Sequence, residues 1–186
     1  MTPVDPRTAR TRARLRQALL EECAHRPLAR VSVAALVRRA GVGRATFYLH
    51  YPDLEALAVD ACADIVREAV DALHSWRGRP DPDHPPPALL DFVRDLAPHA
   101  DLYRALLRPG GNGPLGAVLY RDLRARAHRE RERAGAPDPG LVASAVAATF
   151  TGLLADWLHD LVEATPAAFT DRVWRLLLAL HGAPLP

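Results

Sequence analysis

Apolar residues recur along the chain at intervals of three and four, the pattern of helices that each bury one face. Prolines separate these runs, because proline cannot continue a helix and disfavours the helical conformation in the residue before it. The pattern predicts an all-α fold of about nine helices and no strand. The helices are expected near 7–25, 32–40, 44–51, 53–76, 87–97, 99–107, 115–134, 139–162 and 166–180.

The second and third predicted helices are short and joined by a tight turn. Ser32 offers a hydroxyl that can cap the first of them, and Gly41 stands where a helix ends in a left-handed residue. On the second helix, a rotation of 100° per residue turns Phe47 and Tyr51 inward and leaves a small, polar and aromatic outer face. Such a helix, with Arg44 at its start, suits a DNA major groove. The stretch is therefore a helix-turn-helix candidate.

Charge is distributed unevenly along the chain. Residues 1–50 carry ten arginines against three acidic residues, a net charge of +7, whereas the remainder has a net charge of −5. A basic N-terminal module on a mildly acidic body is typical of a nucleic-acid binder with a separate second domain. Arg38 and Arg39 point away from the apolar face of their helix, and a DNA contact and a solvated surface are equally good interpretations of them.

The last two predicted helices are apolar over more than one face. A surface helix needs a single apolar stripe, so these helices are either central or buried against a second subunit. Two helices from each of two chains could form a four-helix dimer interface. The candidates for this interface are Phe150, Leu154, Leu158, Trp174, Leu177 and Leu178. Aromatic residues of the body are candidates for a ligand pocket, with core packing as the alternative for each: Trp76, Phe92, Tyr103, Phe150 and Trp157.

Other classes of site lack their signatures. The eight histidines show no metal-ligand spacing, and Cys23 and Cys62 form no CxxC pair, so no metal or cofactor is expected. No nucleophile motif or carboxylate pair indicates an enzyme. The glycine run 111–116 matches a dinucleotide fingerprint only formally, because no strand is predicted before it. The longest uncharged run, 140–155, is shorter than the roughly 20 apolar residues that a membrane span requires.

The segment from Gly41 to Leu57, GVGRATFYLHYPDLEAL, resembles the TetR family of transcriptional regulators. The resemblance covers about residues 8–62. It implies an N-terminal three-helix DNA-binding domain and a larger helical domain for ligand binding and dimerisation, here 1–52 and 53–186. A homodimer would bind a near-palindromic operator of double-stranded DNA and be released by a small-molecule effector, expected to be partly apolar. The expected location is the cytoplasm, with no membrane partner.

The family pattern and the outer face of the second short helix together give the expected DNA contacts. They are Ser32, Arg44, Ala45, Thr46, Tyr48, Leu49 and His50. The chain departs from the pattern at Leu54, where many members carry a phosphate-contacting lysine that Arg12 or Arg14 could replace. The turn residue Gly43 also stands where a capping side chain is common. The alternative hypothesis is a helical binding or interaction module without sequence-specific DNA binding.

Overall fold

A computed structural model describes residues 5–75 and 81–182 of the protein. Within these ranges the chain forms nine α-helices, three 3₁₀ turns and no strand, which confirms the all-α prediction. The helices are α1 (Pro6–Cys23), α2 (Val33–Ala40), α3 (Arg44–His50), α4 (Leu54–Ser75), α5 (Pro87–Asp95), α6 (Ala100–Leu106), α7 (Pro114–Arg133), α8 (Pro139–Leu158) and α9 (Pro166–Gly182).

Helices α1 to α3 and the first half of α4 form the N-terminal unit. Leu15 and Leu19 of α1, Leu36 of α2 and Phe47 of α3 are completely buried together with Leu57 of α4. Burying a side chain of this size contributes roughly 1.5–3 kcal/mol, so the four helices stabilise one another. The hydrophobic core continues from this unit into the body.

The long helix α4 belongs to both parts of the molecule. Its first half packs against α1, and its contacts with α5, α6 and α7 connect it to the body. The side chain of Asp53 accepts a hydrogen bond of 2.8 Å from the amide of Ala56 and caps the helix. Further along the helix Cys62 and Val66 are buried, whereas Ile65 and Ala69 are only half-buried. Steps of four residues drift by about 40° each on an α-helix, so apolar residues at such steps leave the buried face.

Helix α8 is central to the body. It packs against α6, α7, α9 and the 3₁₀ turn Pro109–Gly111. Its length and composition would allow it to cross a membrane, although its uncharged run is shorter than a membrane span requires. A core helix has the same composition because its neighbours cover it, and eight of its residues are buried here.

The C-terminal end of α8 differs from the prediction. The helix begins at Pro139, as expected, after Asp138, which has a φ of +45° and whose side chain caps no amide. It ends at Leu158, four residues early. There Arg104 donates a hydrogen bond to the Leu158 carbonyl, and the ring of His159 bonds the Leu107 carbonyl at 2.8 Å. These contacts with α6 satisfy backbone groups that another helical turn would have moved.

The glycine run before α7 is a packed loop. Gly113 has a φ of +98°, and a Cβ atom at Gly116 would lie 1.8 Å from the carbonyl oxygen of Gly111. The glycines thus allow close approach of the loop to the start of α7. The described residues contain no strand before this loop, so the dinucleotide fingerprint lacks its βαβ context.

Candidate nucleic-acid interface

The turn between α2 and α3 has the local chemistry that the sequence predicts. The hydroxyl of Ser32 accepts a hydrogen bond of 3.2 Å from the Ala35 amide and caps α2. Gly41 ends the helix with a φ of +60°. The Val42 amide then bonds the carbonyl of Val37 at 2.9 Å, and the chain turns into α3. The amide bonds and the left-handed glycine fix the direction of α3 relative to α2.

Helix α3 presents one face to solvent and one to the core. Phe47 is completely buried and Tyr51 is 3% exposed. Leu49 and Tyr48 are 82% and 48% exposed, which is unusual for large apolar and aromatic side chains. A face of this kind has groups to offer a base edge or a thymine methyl.

The other predicted contact residues are also open to solvent. Ser32, Arg44 and Ala45 are exposed, and Thr46 and His50 are half-exposed. The guanidinium of Arg44 lies 5.9 Å from the ring centre of Tyr48, within the range of a cation–π contact. This contact limits the rotamers that Arg44 adopts before DNA arrives.

A partly buried network behind α3, which the sequence did not reveal, ties it to α1 and α4. Asp60 accepts a hydrogen bond of 2.6 Å from the Tyr51 hydroxyl and pairs with Arg12 at 3.1 Å and Arg16 at 3.2 Å. Arg12 also donates to the Tyr51 hydroxyl at 3.1 Å. The only sequence signal was the position of Asp60 on the inner side of α4.

The network shifts the titration of its members. Burial opposes the ionisation of Asp60, but hydrogen bonds from Tyr51 and Arg16 and the charge of Arg12 outweigh it and lower its pKa. Burial, with the bond to Asp60, raises the pKa of Tyr51 to about 12. At neutral pH the carboxylate is therefore ionised and the phenol neutral, the states in which these bonds form.

Two arginines expected to contact phosphate have partners inside the domain. Arg12 is held in the network, and Arg14 donates a hydrogen bond of 3.1 Å to the carbonyl of Gly41. Each therefore has a structural role, and a contact with phosphate in place of a lysine at position 54 stays a prediction. Arg7 and Arg10 of the same helix are exposed.

Arg38 and Arg39, each interpreted either as a DNA contact or as part of a solvated surface, differ in their contacts. Arg39 binds Glu22 at 2.6 Å and Glu21 at 3.3 Å and so joins α2 to α1. Its hydrogen bond, stronger than the opposing burial, lowers the pKa of Glu22. Arg38 is exposed beside it.

A cavity of about 420 Å³ lies in the body between α4, α5, α7, α8 and α9. Of the four predicted pocket residues within the described part of the chain, only Phe150 lines it. Phe92 is buried with its ring centre 6.2 Å from that of Phe150, and Tyr103 is completely buried. Trp157 stacks on Phe169 at 4.8 Å and donates a hydrogen bond to the Ala164 carbonyl. Trp76 lies outside the described residues.

Two of the residues predicted for the dimer interface are in the core of one chain. Leu154 and Leu158 are 0% and 3% exposed and leave almost no surface for a second copy. Trp174, Leu177 and Leu178 line the cavity together with Phe150. Part of the apolar surface of α8 and α9 is thus covered inside the monomer, and the contact of the remaining residues with a second copy stays a prediction.

Helix α7 contributes cavity residues that the sequence did not single out. Leu123, Arg126 and Glu130 of this helix line the cavity. Together with the buried Leu119 they follow one another at steps of four, three and four residues, which places them on one face of the helix and could have identified them. Among the described residues, no group of three or more histidine, cysteine or acidic side chains could hold a metal ion.

Comparison with known proteins bears on this geometry. The family model described as "Bacterial regulatory proteins, tetR family" matches residues 15–61, the helix-turn-helix and the start of α4. A search of curated protein sequences found no match.

Solved structures extend the likeness to the body. A TetR transcriptional regulator from Rhodococcus sp. RHA1 is 22% identical over 92% of this chain and 97% of its own, with a TM-score of 0.62. NalD, the secondary repressor of the MexAB-OprM multidrug efflux pump in Pseudomonas aeruginosa, is 18% identical over 94% and 96%, with a TM-score of 0.53.

The fatty acid degradation regulator FadR from Bacillus halodurans is 16% identical over 95% of this chain and 97% of its own, with a TM-score of 0.52. At these identities the structures show a shared fold, and the match over residues 15–61 identifies the N-terminal domain. The N-terminal domain is thus similar to the tetR family of bacterial regulatory proteins, and the whole chain has the fold of solved TetR transcriptional regulators.

Proposed function

We propose that the protein is a homodimeric repressor that binds a near-palindromic operator and is released by a small-molecule effector. The observation that carries the DNA-binding half is the exposed face of α3, where Arg44, Tyr48 and Leu49 stand outward on a helix anchored by Phe47 and Tyr51. A rigid scaffold behind adaptable outer side chains lets a short helix read base edges in a major groove. A regulator of this kind acts in the cytoplasm.

The dimer follows from the size of the reading surface. Helix α3 has seven residues, so one copy covers only a few base pairs. Two copies with their recognition helices about 34–36 Å apart would enter successive major grooves of a palindrome. Leu141, Leu161 and Leu176 are 62%, 65% and 48% exposed on or beside α8 and α9, and they are the proposed contacts with the second copy.

Selection of bound fragments from genomic DNA, followed by titration of the selected site, tests the DNA-binding half. Arg44→Ala is expected to cost about 1–3 kcal/mol of binding and to relax preference at one base position, if this guanidinium reads a guanine. Arg94→Ala removes an exposed arginine of α5 and is the matched control. A uniform loss over all sequences would make Arg44 a phosphate contact.

Salt and oligomeric state complete the test. Binding should weaken steeply as salt rises, since neutralised phosphates release counterions. Absence of binding at physiological salt would favour the alternative of a helical binding module. Leu176→Glu should shift the sedimenting species from dimer to monomer. Ala105→Glu, at an exposed position of α6, should not. A monomeric wild type that binds the palindrome in full would refute the dimer.

A further inference from the structure

The body cavity has an apolar wall and a polar end. Phe150, Trp174 and Leu177 belong to the apolar wall, and the polar side chains at its surface are Arg126, Glu130 and His181. A volume of about 420 Å³ is in the range of small-molecule sites, which combine apolar walls with a few fixed polar groups. The polar end therefore decides which ligands fit.

Arg126 holds two neighbouring helices together at this end. Its guanidinium pairs with Asp71 of α4 and lies 3.6 Å from Glu130 of its own helix. The same side chain lines a second groove between α4 and α7, which shares Val70 and Leu123 with the cavity. Arg126 thus stands where the cavity meets the contact between α4 and α7.

A second guanidinium lies beside the polar end. Arg131 donates hydrogen bonds to the carbonyls of His181 at 3.3 Å and Pro137 at 3.0 Å. Its Nε atom is buried and has no acceptor in the described part of the chain. Burial, then the charge of Arg131, lowers the pKa of His181 despite Glu130, so the imidazole is neutral at pH 7. Arg126 lines the end of the cavity together with Glu130, and Arg131 lies behind it against the His181 carbonyl.

We propose that the cavity binds an amphiphilic organic acid, with its carboxylate on Arg126 and its apolar body against Phe150 and Trp174. The carboxylate replaces Asp71 as the partner of Arg126. Loss of the Arg126–Asp71 pair loosens α7 from α4, the helix that also carries the DNA-binding unit. This regulatory consequence rests on the proposed function, whereas the preference for an acid does not.

A cationic ligand fits the same end poorly. Glu130 already pairs with Arg126, and an amine that approached it would also meet the charge of Arg131. A neutral ligand could fill the apolar wall but would offer Arg126 no charged partner in place of Asp71. A charge-assisted hydrogen bond from a partly buried guanidinium is about twice as strong as a neutral one, so the acid should be preferred.

Probes that differ only in the head group test the ligand class. We would titrate the full chain with decanoate, decanamide and decylamine, and with 4-phenylbutyrate, 4-phenylbutyramide and 4-phenylbutylamine, by calorimetry and thermal shift. In at least one series the acid is expected to bind at least tenfold more tightly than its amide, and the amine more weakly still. Equal binding of acid and amide, preference for the amine, or no binding of either acid at millimolar concentration would overturn the proposal.

Variants locate the head group. Arg126→Gln should remove the preference for acid over amide, while Arg121→Gln, an exposed arginine of the same helix, should keep it. Asp71→Asn removes the competing carboxylate and should tighten acid binding several-fold, which keeps the test open if Arg126→Gln fails to fold. Unchanged acid binding in Asp71→Asn would contradict the exchange of partners.

A DNA measurement separates the two proposals. Specific DNA binding without any probe tests the proposed function and makes no use of the cavity. If DNA binding fails and the acid preference stands, only the proposed function is lost. If DNA binding stands and acid, amide and amine bind alike, the ligand proposal is wrong.

Discussion

The hydroxyl of Tyr51 offers a sharp test of how α3 is held. Tyr51→Phe deletes a single oxygen and leaves the buried ring in place, so packing is preserved. The lost bonds are the 2.6 Å bond to Asp60 and the 3.1 Å bond from Arg12. Tyr51 is 3% exposed, so water cannot replace them fully in the folded state.

The expected loss of stability follows from what remains. A hydrogen bond to a charged group contributes about 1.5–3 kcal/mol, and a carboxylate left unpaired would cost more. Asp60 keeps Arg12 at 3.1 Å and Arg16 at 3.2 Å after the substitution, so no unpaired charge is left. The net effect should be about 1–2 kcal/mol, near the lower end of that range. For a chain of this length that corresponds to a fall in Tm of about 2–8 °C.

Tyr48→Phe is the matched control, since it removes the same atom three residues earlier from a ring that is 48% exposed. Urea unfolding followed by far-UV circular dichroism measures both variants. Tyr48→Phe should keep the stability of the wild type and change operator binding instead. A double-mutant cycle with Asp60→Asn should give a coupling energy, since the two side chains share a bond. Equal midpoints for the two tyrosine variants would refute the claim that the hydroxyl stabilises the domain.

Two further predictions concern the same domain. The pKa of Tyr51 is raised to about 12, so folding favours the neutral phenol. Its contribution to the free energy of unfolding is complete below its ordinary pKa of about 10 and is lost as pH rises towards 12. In Tyr51→Phe the free energy of unfolding should therefore fall less steeply at alkaline pH, and identical pH profiles would contradict this. Gly41→Ala places a Cβ at a φ of +60°, where it also meets the Arg14 guanidinium. It should lower the stability measured by thermal unfolding by about 1 kcal/mol or more. At Gly140 a Cβ meets nothing within 4 Å, so Gly140→Ala should leave stability unchanged or raise it.

The sequence predicts the helices well because their signals are local. Apolar periodicity, the capping Ser32 and the left-handed Gly41 depend on residues within a few positions, and all three are as expected. Phe47 and Tyr51 are inward for the same reason. The family pattern then gives the outer face of α3 its meaning.

Partners across helices could not be predicted in the same way. The broad apolar surfaces of α8 and α9 indicated burial, but their width cannot tell a second chain from the interior of one. Leu154 is in the monomer core and Leu177 in the cavity wall for reasons that depend on α7 and α4. The ion pair between Arg12 and Asp60 could not be predicted, because the two residues are forty-eight positions apart in the sequence.

The boundary of the DNA-binding domain, expected at residue 52, leads to the last prediction. Leu57, Ala58, Ala61 and Cys62 of α4 are each at most 1% exposed, and α4 packs against α1. Asp60 completes the charge network on the same side of the helix.

A fragment of residues 1–52 would expose the face of α1 that these side chains cover, and it would leave Arg12 without its carboxylate. Each buried leucine alone contributes roughly 1.5–3 kcal/mol, a large fraction of the stability of a small domain.

We therefore expect fragment 1–52 to melt without a cooperative transition, and fragment 1–75 to retain one by circular dichroism. Fragment 1–75 carrying Asp60→Asn should melt at a lower temperature than fragment 1–75 itself, because Tyr51, Arg12 and Arg16 lose their shared acceptor. A cooperative transition in fragment 1–52 would show that α1 to α3 fold alone. In that case α4 would be only a connection, and a displacement at its body end would not reach α3 through shared packing.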